Sequence, residues 1–291
     1  MTVQNAIEIR GLTKQFADFK LNNIDLTLPS GSIMGLIGEN GAGKTTTIKL
    51  ILNQLHRDSG QISVLGMDNL KQEQKIKRDI GVVLPDGFFF ESFTPAQIAA
   101  VMSGIYPTWD NSHYSALLSR FSVSEKKPLK ECSTGMKAKI RLAAAMAHRP
   151  KLLILDEPTS GLDPVMRAEM LDLFQEFIQE EEHSILVSSH ITGDLEKIAD
   201  YITFIHKGSV ILSDEKDRIT ESYGILRCGG SDLAKLPKED LVSAIWGDFS
   251  CQALVRNRRN FAQKYPHLLV ESASLEDIML FTVKNKENTA K

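Results

Sequence analysis

Two clusters in this chain have residue types and spacing suited to chemistry on a phosphate chain. The stretch GENGAGKTT, Gly38 to Thr46, fits G-x-x-x-x-G-K-[ST] through Gly38, Gly43, Lys44 and Thr45. Glycines let backbone N–H groups wrap closely around phosphate oxygens, and the helix that follows points its positive end at them. Gly38, Asn40, Gly41, Ala42, Gly43 and Thr46 are therefore candidate cradle residues. Lys44 is the candidate cation for the β/γ-phosphates, and the Thr45 hydroxyl a candidate Mg²⁺ ligand. The second cluster is LLILDEPTSGLD, where Asp156 and Glu157 follow an apolar run. An Asp at such a strand end can hold a Mg²⁺ shell, and a carboxylate beside it can orient and deprotonate water. An acidic residue that merely caps the next helix would read the same way, and it is the phosphate loop upstream that favours chemistry.

Buried strands must carry both clusters. GSIMGLIG, KLLILD and SILVSS are almost continuously apolar, as strands covered on both faces are. Each ends in a functional-looking segment, at the carboxyl end where open parallel sheets bind ligands. AIEIRGL and FKLNNIDLTL alternate apolar and polar residues instead, which predicts half-buried antiparallel strands. Between about residues 87 and 148, TPAQIAAVMSGIY, NSHYSALLSRF and MKAKIRLAAAMAH carry helical spacing, which predicts a helical insertion. The expected fold is α/β: a P-loop nucleoside triphosphatase with an antiparallel β subdomain, a helical insertion and a small C-terminal extension. The nucleotide-binding domain is expected over 1–214 and an α+β extension over 215–291. In that extension GILRCGG, QALVRN and HLLVES suggest short strands, and Ser274 with Asp277 suggests the cap of a terminal helix.

Composition narrows the function classes. The chain has 291 residues, 42% hydrophobic and 24% charged, with a net charge of −3, so it has no general pull toward nucleic acid or acidic lipid. Its three cysteines, Cys132, Cys228 and Cys251, are far apart and read as free thiols of a reducing compartment. The N-terminal stretch has no apolar core of signal-peptide length, and no apolar run approaches the roughly 20 residues of a membrane span. A role at a membrane is therefore expected to come through a partner.

A third segment, CSTGMK at Cys132 to Lys137, opens an apolar-periodic helix. With it, residues 6–213 resemble the ATP-binding subunit of ABC transporters. Ser133 and Gly135 match the family's signature, while Cys132, Thr134 and Met136 depart from it. Ser160 to Asp163 resembles the family's D-loop, and Ser188 to His190 its switch histidine. Phe16 stands where an aromatic residue stacks on adenine. The resemblance implies ATP and Mg²⁺ as cofactors, a second ATPase subunit (identical or not), and a separate polytopic membrane subunit, at the cytoplasmic face of the membrane. It also implies a head-to-tail dimer in which Ser133 and Gly135 of one chain and the phosphate loop of the other share one ATP, with Asp163 nearby. Ser133 can equally be an ordinary N-cap. The stripe Met136, Ile140, Ala143 and Ala147 is expected to anchor that helix in its own chain.

The chain departs from the family where a glutamine that touches Mg²⁺ is replaced by Pro85, which has neither a side-chain ligand nor an N–H. The adjacent Asp86 is the candidate substitute. This departure, the IYPTWD stretch and the S-x-G-M-K turn resemble the YtrB/BcrA-like group of bacterial exporters, which includes pumps for bacitracin-type drugs and amphipathic peptides such as phenol-soluble modulins. The altered turn and missing glutamine keep a nucleotide-gated regulatory subunit open as an alternative. A non-transport ABC ATPase is disfavoured by the single cassette and the lack of heptad insertions. Finally, Phe88, Phe89, Phe90 and Phe93 cannot all face one core, which predicts a partner groove for a short helix of a membrane subunit.

Overall fold

The computed structural model describes residues 5–85, 89–180, 182–247 and 250–289. Contacts divide the chain into two units, Met1–Leu212 and Ser213–Lys291.

The first unit opens with a hairpin, β1 (Asn5–Gln15) and β2 (Lys20–Pro29). The third strand, β3 (Ile33–Ile37), runs into the phosphate loop and then α1 (Lys44–Ile51). Two further strands, β4 (Ser59–Val64) and β5 (Met67–Asp68), complete an antiparallel sheet of order β2-β1-β4-β5. The alternation read from β2 is what this sheet imposes: Leu21, Ile24, Leu26 and Leu28 point into the core while their neighbours face water.

The short helix α2 (Glu73–Asp79) leads to β6 (Ile80–Val83). Three helices follow, α3 (Pro95–Ile105), α4 (Asn111–Arg120) and α5 (Thr134–Met146), and each begins at a side-chain cap. Thr94 and Gln97 form a reciprocal capping box with Pro95 at the first helical position, Asp110 caps α4, and Ser133 caps α5. Each such cap contributes about 1 kcal/mol.

The chain then returns through β7 (Leu152–Asp156), α6 (Pro164–Phe177), β8 (Ser184–Ser189), α7 (Thr192–Ile198), β9 (Tyr201–His206) and β10 (Ser209–Glu215). The second sheet has the order β10-β9-β3-β8-β7-β6, and β9, β3, β8, β7 and β6 pair in parallel. Every residue of β3, β7 and β8 is buried, which explains their unbroken apolar runs. In this order β3 neighbours β8 and β8 neighbours β7, so three carboxyl ends lie side by side although that of β3 is over 100 residues from the other two in sequence.

The second unit contains α8 (Lys216–Ser222), β11 (Tyr223–Cys228), α9 (Gly230–Leu233), β12 (Leu241–Trp246), β13 (Cys251–Arg256), α10 (Arg258–Lys264), β14 (Val270–Ser272) and α11 (Leu275–Thr289). Its antiparallel sheet has the order β12-β13-β11-β14, around a small core of Leu226, Leu233, Ala253, Val255 and Phe261. The sequence pattern pointed to β11, β13 and β14 but not to β12, whose LVSAIW is only partly buried and shows no clean alternation. Ser274 and Asp277 form the expected reciprocal cap: the Asp277 N–H donates to Ser274 Oγ at 3.1 Å, and the Ser274 N–H to Asp277 Oδ2 at 3.1 Å.

Candidate nucleotide site and its surroundings

The phosphate loop is shaped by close backbone approaches. A Cβ on Gly38 would lie 2.3 Å from the carbonyl oxygen of Ile205, so no larger residue fits there. Gly43, which precedes α1, has φ +116°, a conformation open to glycine, and a Cβ on it would meet Leu21 at 2.9 Å. Phe19, Glu39, Asn40, Gly41, Gly43, Lys44, Thr45, Thr46 and Glu157 line a cavity of about 360 Å³. Ala42 is buried beneath it.

Lys44 is 5% exposed, and its ammonium is fully engaged. It donates to the carbonyl oxygens of Gly38 at 2.6 Å and Glu39 at 3.3 Å, and pairs with Glu157 Oε1 at 3.2 Å. Glu157 Oε1 accepts no aligned hydrogen bond, so this ion pair is its stabilisation. One carboxylate and two carbonyls offset the cost of burying the lysine's charge.

Asp156, 1% exposed at the end of β7, joins the loop to β8. The Thr45 hydroxyl donates to its Oδ2 at 2.7 Å and the Ser188 hydroxyl to its Oδ1 at 2.5 Å. Ser188 Oγ also accepts the Glu157 N–H at 3.0 Å. That contact matters because Glu157 has φ +51°, a left-handed conformation costing about 1–3 kcal/mol in a non-glycine residue. Its other carboxylate oxygen, Oε2, lies 2.7 Å from His190 Nδ1 and accepts the His190 N–H at 3.3 Å. Lys44, Glu157 and His190 thus form one line of contacts, and Thr45, Asp156 and Ser188 a second beside it. Sequence reading named all of these, but Ser188 only as the start of the segment that ends in His190, with no role of its own.

Phe16 does not line this cavity. It is 36% exposed at the hairpin tip, its ring 6.2 Å from that of Phe19. Phe19 forms part of the wall, its Cζ 3.1 Å from where a Cβ on Gly43 would be. The turn sealed by the Phe16 N–H donating to the Phe19 carbonyl at 2.8 Å carries both rings, and only its fold distinguishes them. Asp86 lies outside the described residues. Pro85 is exposed, and its carbonyl accepts from Arg141 at 3.1 Å.

Ser133, Gly135 and Asp163 do not line the cavity either. Ser133 and Thr134 are exposed at the start of α5, where Ser133 Oγ accepts the Met136 N–H at 3.2 Å. Gly135 is turned inward: a Cβ there would fall 2.3 Å from Met166 Cε and 2.5 Å from its sulfur. Its lack of a side chain lets α5 pack against α6. Asp163 caps α6 by accepting from the N–H groups of Val165 and Met166, at 3.0 Å each. Ile140, Ala143 and Ala147 anchor α5 as expected, while Met136 is only half-buried. Cys132 is buried, as a small apolar residue would be.

A second cavity, of about 270 Å³, lies between the helical insertion and the strand β6. Val82, Leu84, Phe89, Met102, Ile105 and Tyr106 make its walls largely apolar. Phe89 is half-buried in it, while Phe90 is 72% exposed and edge-on to Phe93 at 5.3 Å. The IYPTWD stretch builds one wall. Tyr106 stacks on His148 at 4.0 Å, the Thr108 hydroxyl donates to the His148 carbonyl at 2.7 Å, and the Asp110 N–H donates to the Ala147 carbonyl at 2.8 Å. Burial holds the His148 ring below the usual histidine range, so it stays neutral, and Nε2, 3.0 Å from the Ile80 carbonyl, carries its proton.

Among the described residues, no helix is long and apolar enough to cross a membrane. The family model described as ABC transporter matches residues 21–160. The ATP-binding protein YtrB of Bacillus subtilis is 35% identical over 218 residues, covering 75% of this chain and 74% of that protein. The bacitracin transport ATP-binding protein BcrA of Bacillus licheniformis is 33% identical over 208 residues, covering 70% and 68%. A solved ATP-binding subunit of an ABC transporter superposes with a TM-score of 0.67 at 26% identity, covering 74% of this chain and 91% of that one. The P-loop fold, the strand-end carboxylates and these relatives together define the class: the chain belongs to the ABC transporter family. Within it, the chain is an ATP-binding subunit, an ATPase.

Proposed function

We propose that this subunit is the motor of a bacterial exporter of antimicrobial or amphipathic peptides or drugs, working on the cytoplasmic face of the membrane with a separate membrane subunit and a second ATPase chain. The observation that carries the ATPase part of this reading is the paired line of contacts Lys44–Glu157–His190 and Thr45–Asp156–Ser188 at three adjacent strand ends. The exporter part rests on the likeness to a bacitracin transport protein and on the apolar cavity beside Phe89.

The donor set suits ATP and Mg²⁺. Thr45 Oγ1 and Asp156 Oδ2 are hard oxygen ligands 2.7 Å apart, which fits Mg²⁺ and not a soft metal. A Mg²⁺ held by Thr45 and Asp156 would neutralise charge on the β/γ-oxygens. Lys44 would exchange Glu157 for the phosphates, a swap between two anionic partners. That exchange frees Glu157 Oε1 to accept a proton from the attacking water, while His190 keeps the carboxylate oriented through Oε2. The loop amides and the start of α1 would hold the phosphate chain. Ser133 and Thr134, exposed at the start of α5 and not lining this cavity, suit contact with the ATP of a second chain. Part of the missing glutamine's role is assigned to Asp86.

Phosphate release with Mg²⁺ and ATP, measured on the purified chain and on the complex co-purified from membranes, tests this reading. Glu157→Gln should lower turnover by about 10²–10⁴ while ATP binding persists; unaltered turnover would sink the base assignment. Phe89→Asp should abolish co-purification of the membrane subunit with the fold intact. A chain that binds ATP in the complex but shows no turnover above Glu157→Gln would favour the regulatory reading, which Thr134 and Pro85 motivate.

A further inference from the structure

The end of β9 and the turn after it meet the phosphate loop at two points and β2 at a third. The Ile205 carbonyl packs against Gly38, 2.3 Å from the position of a Cβ. The Gly208 N–H donates to the Ala42 carbonyl at 2.9 Å, and the Gly208 carbonyl accepts from Asn22 at 2.7 Å. Between them stands His206, only 4% exposed at the end of a strand whose preceding residues are buried. Its Nδ1 lies 2.9 Å from Glu39 Oε1. The approach is oblique, so the contact is electrostatic and not an aligned hydrogen bond.

Glu39 is a puzzle for a phosphate site. Its carboxylate belongs to a residue on the wall of the same cavity as Lys44, Thr45 and Thr46, and it is 47% exposed. Lys44 touches the Glu39 carbonyl, not its carboxylate, so Lys44 does not neutralise that side chain. A free carboxylate there would repel the phosphates that the loop amides attract. We propose that His206 is a positioning residue for nucleotide binding: it draws the Glu39 carboxylate aside and keeps its charge off the incoming phosphates. This rests on reading Gly38 to Thr46 as the ATP site. The function of His206 is thus exerted through Glu39, not by contact with the ligand. Two observations support the assignment: the ring is buried within 2.9 Å of the carboxylate, and its segment is held to the loop on both sides of Glu39, at Gly38 and Ala42.

The test is the Kd for ATP, by calorimetry without Mg²⁺, of the full chain and of His206→Ala, Glu39→Gln and the double variant, with melting temperatures as a check on folding. His206→Ala should bind ATP about tenfold more weakly, the scale of one charge contact. Glu39→Gln should bind at least as tightly as the unaltered chain, and the double variant should match Glu39→Gln. A Kd for His206→Ala equal to that of the unaltered chain overturns the proposal, as does a weakness that persists in the double variant. Should His206→Ala not fold, Glu39→Gln alone decides, because weaker binding by that variant contradicts the repulsion. No ATP binding by the unaltered chain would overturn the site reading itself, and this proposal with it.

Discussion

The phosphate loop and the turn at Ser133 are built in opposite ways. Around the loop the polar side chains are committed within the chain: Lys44 to two carbonyls and Glu157, Asp156 to Thr45 and Ser188, Glu157 to His190. At the start of α5, Ser133 and Thr134 face solvent, while Cys132 before them and Gly135 after them are buried, Gly135 against Met166. The first region pairs its charges within the chain, and the proposed mechanism exchanges one of those pairs for a ligand. The second presents a capped helix N-terminus with nothing of its own chain to act on. That contrast fits one site half-built by each of two chains, and it separates variants that damage the isolated chain from variants that damage only an assembly.

The largest expected effect is at the lysine. Lys44→Ala should weaken ATP binding by the isolated chain by about 100-fold or more, since it removes a buried charge–phosphate contact and leaves Glu157 Oε1 without its ion pair; fluorescence titration with a labelled nucleotide would measure it. If the loss is under tenfold, the loop is not where binding energy resides.

Next is the packing of α5. Gly135→Leu should destabilise the first unit by about 1–3 kcal/mol through collision with Met166, and Met166→Ala should recover part of that loss. Urea denaturation of the single and double variants decides it; additive losses would mean the two residues do not meet. Ser188→Ala should cost about 1–3 kcal/mol, because Asp156 Oδ1 loses its donor and the strained Glu157 backbone loses an acceptor. Its turnover should also fall, and a normal rate would show that Glu157 needs no such support.

Smaller effects sharpen the boundary between the regions. Phe19→Ala should weaken ATP binding severalfold, by about 1 kcal/mol, and Phe16→Ala less, because only Phe19 lines the cavity. The reverse order would favour Phe16 as the adenine platform. Ser133→Ala should cost about 1 kcal/mol of stability as a lost cap, and should shift ATP binding by the isolated chain less than twofold. A larger shift would place the turn in the chain's own site and break the contrast.

Much of this was legible in the residues. The loop from Gly38 to Thr46, the pair Asp156 and Glu157, and the caps Ser133 and Ser274 are local patterns, since a turn, a strand end or a helix start depends on a few neighbouring residues. The buried strands were legible for the same reason: burial on both faces forces an unbroken apolar run. What only the tertiary structure decided depends on which strands lie side by side. The sheet order puts β8 between β3 and β7, and this turns Ser188 from an interior serine into the partner of both Asp156 and Glu157. The hairpin tip gave Phe19, not Phe16, a place on the cavity wall. The approach of α6 turned Gly135 toward Met166, and the end of β9 brought His206 to Glu39 across more than 160 residues of chain. Such contacts leave no periodicity or spacing in a single sequence, because they are set by long-range pairing and packing and not by local backbone preference.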